Sequence, residues 1–246
     1  MERRVALEIG GSPAAHDGDF VVIDVIRATT TAVTAAASGR VCLVAPTPDD
    51  ARRLAAQYPG ALLAGEVRGE TPEGFLPNSP VAIFERADVE RPIVLSTTNG
   101  TPLMCMAADV STTFVACLRN LTATAEELRS RNDSITILPT MTRGELRVED
   151  ALCAARLARL LFNRGLLLDP QAGDLATSLA DAALDTIAHG PSAAFLRRTG
   201  QAVDLEFILT RVDDVDDAFI IRDAQVVRAS PSSRARPATR APDNAK

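Results

Sequence analysis

Five short apolar runs, at residues 21–25 (VVIDV), 41–45 (VCLVA), 93–97 (IVLST), 113–117 (TFVAC) and 135–139 (ITILP), recur along the chain with helix-forming stretches between them. Continuous β-branched runs of this length suit strands buried on both faces, and such strands need helices as cover. The spacing predicts helices over 30–38, which closes on Gly39, over 48–57, where Pro48 suits a first helical position, and over 101–108, 122–131 and 148–163. The alternation predicts an α/β fold, a three-layer α/β/α arrangement around a mostly parallel sheet. Beyond Gly165 the pattern changes: 174–188 and 192–199 read as helices and 204–210 (DLEFILT) as a further strand. The expected organisation is an N-terminal α/β lobe over 1–120, a C-terminal α/β lobe over 121–228, and a disordered tail over 229–246, where Pro, Ser, Ala and Arg follow no apolar period.

Hydrophobic residues make up 46% of the 246, enough for a sizeable core, and tryptophan is absent, so that core is built from small aliphatics. A formal charge of −6 argues against nucleic-acid binding and against an acidic membrane surface. No apolar run reaches the length of a membrane span and the first twenty residues contain no signal-like apolar stretch, so a cytoplasmic protein is expected. Cys42, Cys105, Cys117 and Cys153 lie in apolar runs without metal-ligand spacing and read as reduced, buried thiols.

The chemistry concentrates where strands end. In VVIDVIRATTTAV, Asp24 sits at a strand terminus, and Arg27, Thr29 and Thr30 lead into a helix. Ligands of open α/β sheets bind beyond the carboxyl ends of the strands, and helix N-termini bind anions. Arg27 could offer a fork to phosphate, and Thr29 and Thr30 hydroxyl hydrogen bonds. An acid in an anion site makes sense if it holds a divalent cation or attacks phosphorus; the plainer alternative is that Asp24 caps the helix and Arg27 pairs with an acid. The pattern repeats in IVLSTTNGTPL, with Thr98, Asn99, Gly100 and Thr101, and in ITILPTMTRGEL, with Thr140, Thr142, Arg143 and Gly144. Three such strand ends point to an anionic ligand the size of phosphate.

Other phosphate chemistries fail on the residues. There is no G-x-x-x-x-G-K-[ST] loop, and the residue two beyond Asp24 is Ile26 where an aspartyl phosphatase of the haloacid dehalogenase type needs a second aspartate. Cys153 to Arg159 matches C-x5-R only inside a helical, glycine-free stretch, which offers no cradle of inward amides.

The blocks VVIDVIRATTTAV, AGEVRGETPEGFLPNSP, LSTTNGT, ACLRNLTATAEEL and RGELRVEDALCAARL, in this order, resemble the 2-phosphosulfolactate phosphatase family over roughly residues 1 to 228. The resemblance implies a Mg2+-dependent phosphatase of coenzyme M biosynthesis. Such an enzyme hydrolyses 2-phosphosulfolactate, the phosphate ester of a small 2-hydroxy acid, in a cleft between two lobes. It implies Asp24 and Arg27 in catalysis, Thr29, Thr30, Thr98, Asn99, Gly100, Thr101 and Arg143 around substrate and phosphate, and Asp24, Glu66 and Asn78 around the metal. Glu149 and Asp150 remain outer candidates, since acids in a first helical turn also complement the dipole. Where the family reads G-F-D-x-G-N-S-P, this chain reads GFLPNSP from Gly74 to Pro80, one residue shorter and without the acid. The expected partner is the small phosphorylated acid, with a homodimer as an open assembly. The alternatives are a phosphatase for another small organophosphate and a non-catalytic phosphate-ligand binding protein on the same fold.

Overall fold

A computed structural model describes residues 3–131 and 133–229; the tail expected over 229–246 falls, from 230 on, outside the described residues. The strands are β1 (Arg4–Leu7), β2 (Asp19–Ile23), β3 (Cys42–Val44), β4 (Leu62–Gly65), β5 (Leu76–Pro77), β6 (Ile93–Ser96), β7 (Thr113–Ala116), β8 (Ile135–Pro139), β9 (Met141–Thr142), β10 (Glu145–Leu146), β11 (Leu167–Leu168), β12 (Phe219–Arg222) and β13 (Gln225–Arg228). The α-helices are α1 (Ala28–Ala37), α2 (Pro48–Ala55), α3 (Pro80–Phe84), α4 (Gly100–Ala108), α5 (Leu121–Ser130), α6 (Val148–Phe162), α7 (Pro170–Leu179), α8 (Asp185–Ala188), α9 (Pro191–Arg198) and α10 (Ala202–Thr210). The five strands predicted before Gly165 all form. No helix among the described residues is long and apolar enough to cross a membrane.

Eleven strands make one sheet in the order β11-β1-β8-β2-β7-β12-β13-β3-β6-β4-β5; β9 and β10 form a separate hairpin. The large sheet consists of two parallel half-sheets, β11-β1-β8-β2-β7 and β3-β6-β4-β5, bridged by the antiparallel hairpin β12–β13. Strands β8 and β11, which lie beyond residue 120, belong to the same half-sheet as β1 and β2.

Alternation along the strands separates the two faces. Phe20 and Val22 of β2 pack with Ala28, Ala32 and Val33 of α1, Ile83 of α3 and Met104 of α4. Val21 and Ile23 pack on the opposite side with α5, α6, α7, α9 and α10, while α2 covers Leu43 and Val94. Helices on both faces give the three layers expected. Helix α1 is buried from Ala28 to Ala36; alanine and threonine there let the helix approach the sheet closely.

Two expectations change. Residues 204–210 form most of helix α10, not a strand. Asp204, Leu205, Phe207 and Ile208 are the buried residues, which is the i, i+1, i+3, i+4 face of a helix, whereas a strand would bury alternate positions. The helix expected over 174–188 is interrupted: α7 starts earlier, capped by Asp169, and ends at Leu179, and α8 follows after a turn.

Candidate active site

The strand registers put the candidate residues level with one another. In one half-sheet Gly65 of β4 pairs with Pro77 of β5 and with Ser96 of β6, so Glu66, Asn78 and Thr97 leave adjacent strands at the same height. In the other, Ile23 pairs with Pro139 and Ala116, which sets Asp24 beside Thr140. The half-sheets run in opposite senses across the hairpin, yet the start of α4, which follows β6, packs against the end of β2. Gly100, the first residue of α4, lies directly against Asp24: a β-carbon there would overlap both the Asp24 carboxylate and the Ala28 methyl. Glycine at 100 is therefore a requirement of close approach.

Asp24 is buried at the floor of this junction, 7% exposed. Its Oδ1 accepts the Ala28 N–H at 3.2 Å, so it does cap α1, as the plainer reading held. It is also surrounded by acids. Its carboxyl is pushed up to about 7, first by burial and then by the charges of Glu66 and Glu149, against the Ala28 N–H and Arg27. Burial, Asp24 and Glu149 together hold Asp150 well above the carboxylate range. Asp150 accepts the Val25 N–H at 2.7 Å and the Thr140 hydroxyl at 2.9 Å, tying the ends of β2 and β8 together. Burial also raises Glu149, opposed by the Ser192 hydroxyl and Arg147. Glu149 is 1% exposed and its Oε2 has no hydrogen-bond partner. The buried Asn78 likewise leaves Oδ1 without a partner. Buried oxygens of this kind are costly unless something binds them.

Glu66, by contrast, is engaged. Oε1 accepts the Thr98 N–H at 2.7 Å, and Oε2 accepts the Gly69 N–H at 2.6 Å and the Thr98 hydroxyl at 3.0 Å. It ties the loop after β4 to the turn before α4. The threonines are engaged too: the hydroxyls of Thr29, Thr30 and Thr101 donate to the carbonyls of Asp24, Val25 and Thr97. They shape the turns, and the donors left for an anion are backbone amides. Helices α1, α4 and α6 start here without a side-chain hydrogen bond from their N-cap residue, whereas α2 and α7, which start elsewhere, are capped by Thr47 and Asp169. First-turn amides have no intrahelical acceptor, but those of Ala28, Thr29 and Thr101 already donate to Asp24 Oδ1, the Asp24 carbonyl and Thr97 Oγ1. Asn99 reaches Thr142 of β9 at 3.4 Å, bringing the loop with Arg143 to the same turn.

Arg27 is buried beside Asp24, but its Nη1 donates to Asp204 Oδ2 and to Gln201 Oε1, each at 2.5 Å. Asp204 Oδ1 accepts the Ser79 hydroxyl at 2.6 Å, so one buried carboxylate joins α10, the turn before α1 and the cap of α3. Sequence reasoning missed Asp204; the signal available was a lone acid at the start of an apolar helical face. The shortened GFLPNSP segment supplies Asn78 and the capping Ser79, while Phe75 stacks under Arg52 at 5.1 Å. Cys153 is buried within α6 with its thiol held well above the usual range by burial, which removes the C-x5-R match as chemistry.

Residues 10–221 match the family described as 2-phosphosulpholactate phosphatase. A protein of Pseudothermotoga lettingae named probable 2-phosphosulfolactate phosphatase is 38% identical over 146 residues, 59% of this chain and 63% of that protein. The 2-phosphosulfolactate phosphatase of Methanothermobacter thermautotrophicus is 32% identical over 197 residues, 79% of this chain and 83% of that protein. A probable 2-phosphosulfolactate phosphatase of Deinococcus radiodurans is 34% identical over 206 residues, 79% and 85% of the two chains. The alignment thus spans just under two thirds of the first relative and more than four fifths of the other two. With the match running through every element that carries the cleft, the chain belongs to the 2-phosphosulfolactate phosphatase family, a family of phosphoric monoester hydrolases.

Proposed function

We propose that the protein hydrolyses the phosphate ester of a small 2-hydroxy acid, with 2-phosphosulfolactate as substrate, sulfolactate and phosphate as products, and Mg2+ as cofactor. The observation that carries this reading is the Asp24 carboxylate, buried between the starts of α1 and α4, whose N-cap residues Arg27 and Asn99 give no side-chain hydrogen bond, with Gly100 pressed against it. The two first turns offer their positive dipole ends to a phosphoryl group, and the glycine lets that group come within reach of Asp24.

The residues fit a hard divalent cation. Asp24 is raised by burial and then by like charge, the second of which a cation would relieve, and Glu149 Oε2 and Asn78 Oδ1 are buried oxygens without partners. Asp24, Asn78 and Glu149 would hold the ion, while Glu66, whose two oxygens already accept three hydrogen bonds, serves to place the turn before α4. Among the described residues no three acid, histidine or cysteine side chains form a ready metal cage; Mg2+ commonly takes only one or two carboxylates and completes its shell with water and substrate oxygens. Bound there, the ion would neutralise charge on the phosphoryl oxygens and favour attack by water. The chain itself orients the ester on the helix starts, keeps Asp24 at the reacting end, and fixes the β2 and β8 ends through Asp150.

Phosphate release from 2-phosphosulfolactate, measured with Mg2+ and with EDTA, tests the reading. Turnover that needs Mg2+ is expected. Turnover unaffected by EDTA would refute the cofactor, and binding of sulfolactate without any phosphate release would favour a non-catalytic ligand-binding protein.

A further inference from the structure

We propose that Arg68 and Arg143 together bind the non-reacting acid groups of the substrate and so determine which phosphate esters the site accepts. This rests on the reading of the cleft as a site for a phosphorylated acid. A ligand carrying phosphate, carboxylate and sulfonate brings several negative charges to a cleft that already holds Asp24, Glu66, Glu149 and Asp150 on a chain of formal charge −6. It needs cations that are not already neutralised.

The arginines divide cleanly on that criterion. Arg27 is held by Asp204. Arg119 gives Nε and Nη2 to Asp214, each at 2.8 Å, and Nη1 to Thr34. Arg147 pairs with Glu145. Arg68 and Arg143 are exposed, and among the described residues neither guanidinium has a hydrogen-bond or ion-pair partner.

Both are bound, through their loops, to the turn that opens α4. The Arg68 N–H donates to the Thr98 hydroxyl at 2.7 Å, and Asn99 donates to Thr142, the residue before Arg143. The two loops also share a design. Each is an Arg-Gly-Glu sequence, at 68–70 and at 143–145, and each turns through two consecutive positive φ values: 54° and 90° at Arg68 and Gly69, 55° and 79° at Arg143 and Gly144. Val67 exchanges backbone hydrogen bonds with Glu70, and Thr142 pairs with Glu145. These are two-residue hairpin turns with left-handed backbone at both central positions, which favour Asn-Gly, Asp-Gly or Gly-Gly. An arginine at the first position, in both turns, gains nothing for the backbone and is explained by what its side chain does.

Depth separates the roles: Asp24 is buried, whereas the two arginines are exposed on loops hydrogen-bonded to Thr98 and Asn99. Their planar forks match the paired oxygens of carboxylate and sulfonate.

The test uses Arg68→Asn, Arg143→Asn and the double variant. Asparagine suits the turn, so the charge is removed while the loop is kept; an unchanged Tm confirms this. Titration calorimetry at fixed Mg2+ compares sulfolactate with inorganic phosphate. The expected result is sulfolactate affinity lowered about tenfold or more by each variant, about 1.4 kcal/mol, with phosphate affinity unchanged; in turnover, KM for 2-phosphosulfolactate rises and kcat is kept. Equal losses for sulfolactate and phosphate would make them phosphate ligands and overturn the proposal. So would unchanged sulfolactate affinity, or a wild type that does not bind sulfolactate. Failure of the phosphatase reading shows separately, as absence of phosphate release by a wild type whose sulfolactate binding still depends on both arginines.

Discussion

Replacing Asp24 by asparagine should abolish turnover and, unusually for an active-site change, stabilise the metal-free protein at alkaline pH. The carboxyl is raised from 3.8 to about 7 in the folded chain, mainly by burial and then by Glu66 and Glu149. Between those two pH values the folded chain holds a proton that the unfolded chain has released, so stability falls as pH rises through the window. A shift of about three units corresponds to a ceiling of about 4 kcal/mol above pH 7. Asparagine removes that penalty and keeps an oxygen for the Ala28 N–H. For a chain of this size each kcal/mol moves Tm by about 2–4 °C, so thermal unfolding in EDTA at pH 8 should show the variant several degrees above wild type. At pH 5, about one unit into that window, the difference should fall to less than half of its value at pH 8, and it should nearly vanish below pH 3.8, where both states are protonated. Adding Mg2+ at pH 8 should raise the wild type more than the variant. A variant less stable than wild type at pH 8, or a difference that does not change between pH 5 and pH 8, would refute the account of the acid cluster.

Gly100→Ala should lower kcat/KM by about tenfold or more and cost about 1–3 kcal/mol in denaturant unfolding, because its β-carbon displaces Asp24 or α4; a near-wild-type enzyme would mean that α4 does not form the floor of the site. Asp204→Ala should cost about 3–5 kcal/mol by leaving Arg27 buried without its partner, measured by urea unfolding, with Asp204→Asn less severe because the Ser79 hydrogen bond can persist. Mg2+ together with sulfolactate should raise Tm more than the sum of their separate effects if the ion borrows ligand oxygens; strict additivity would argue that they bind apart.

The parts of this architecture readable from sequence are those fixed by local rules. Strands β2, β3, β6, β7 and β8 were legible because both faces are covered and their residues are apolar without alternation. Asp24 and Gly100 were legible because a strand end followed by a helix start is a local event. The edge strand β5 has only two residues, and the hairpin strands β12 and β13, FIIR and QVVR, hold apolar runs of only three and two residues beside polar and charged ones, too short for a strand pattern to show. Asp204 was not legible because its meaning lies in Arg27, 177 residues away, and because DLEF alternates over the few positions that precede the rest of the helical face. The roles of the threonines and of Glu66 needed coordinates for another reason: composition shows how many oxygens a segment has, and only hydrogen-bond geometry shows which are still available.

The hairpin β12–β13 has a consequence for how the chain comes to be folded. It sits in the middle of the sheet, between β7 and β3, yet it is made after every other strand. A chain emerging from its N-terminus therefore first builds two separate parallel sheets, each with a bare edge where the hairpin will later insert. Unpaired edges of this kind invite pairing with other chains, and joins between residues distant in sequence form slowly. Interruption just before Phe219 would leave both half-sheets with their facing edges unpaired, held together by packing such as that of Gly100 against Asp24. Such a species should self-associate during synthesis or refolding, and inserting β12 and β13 is the step that makes one sheet of the two halves.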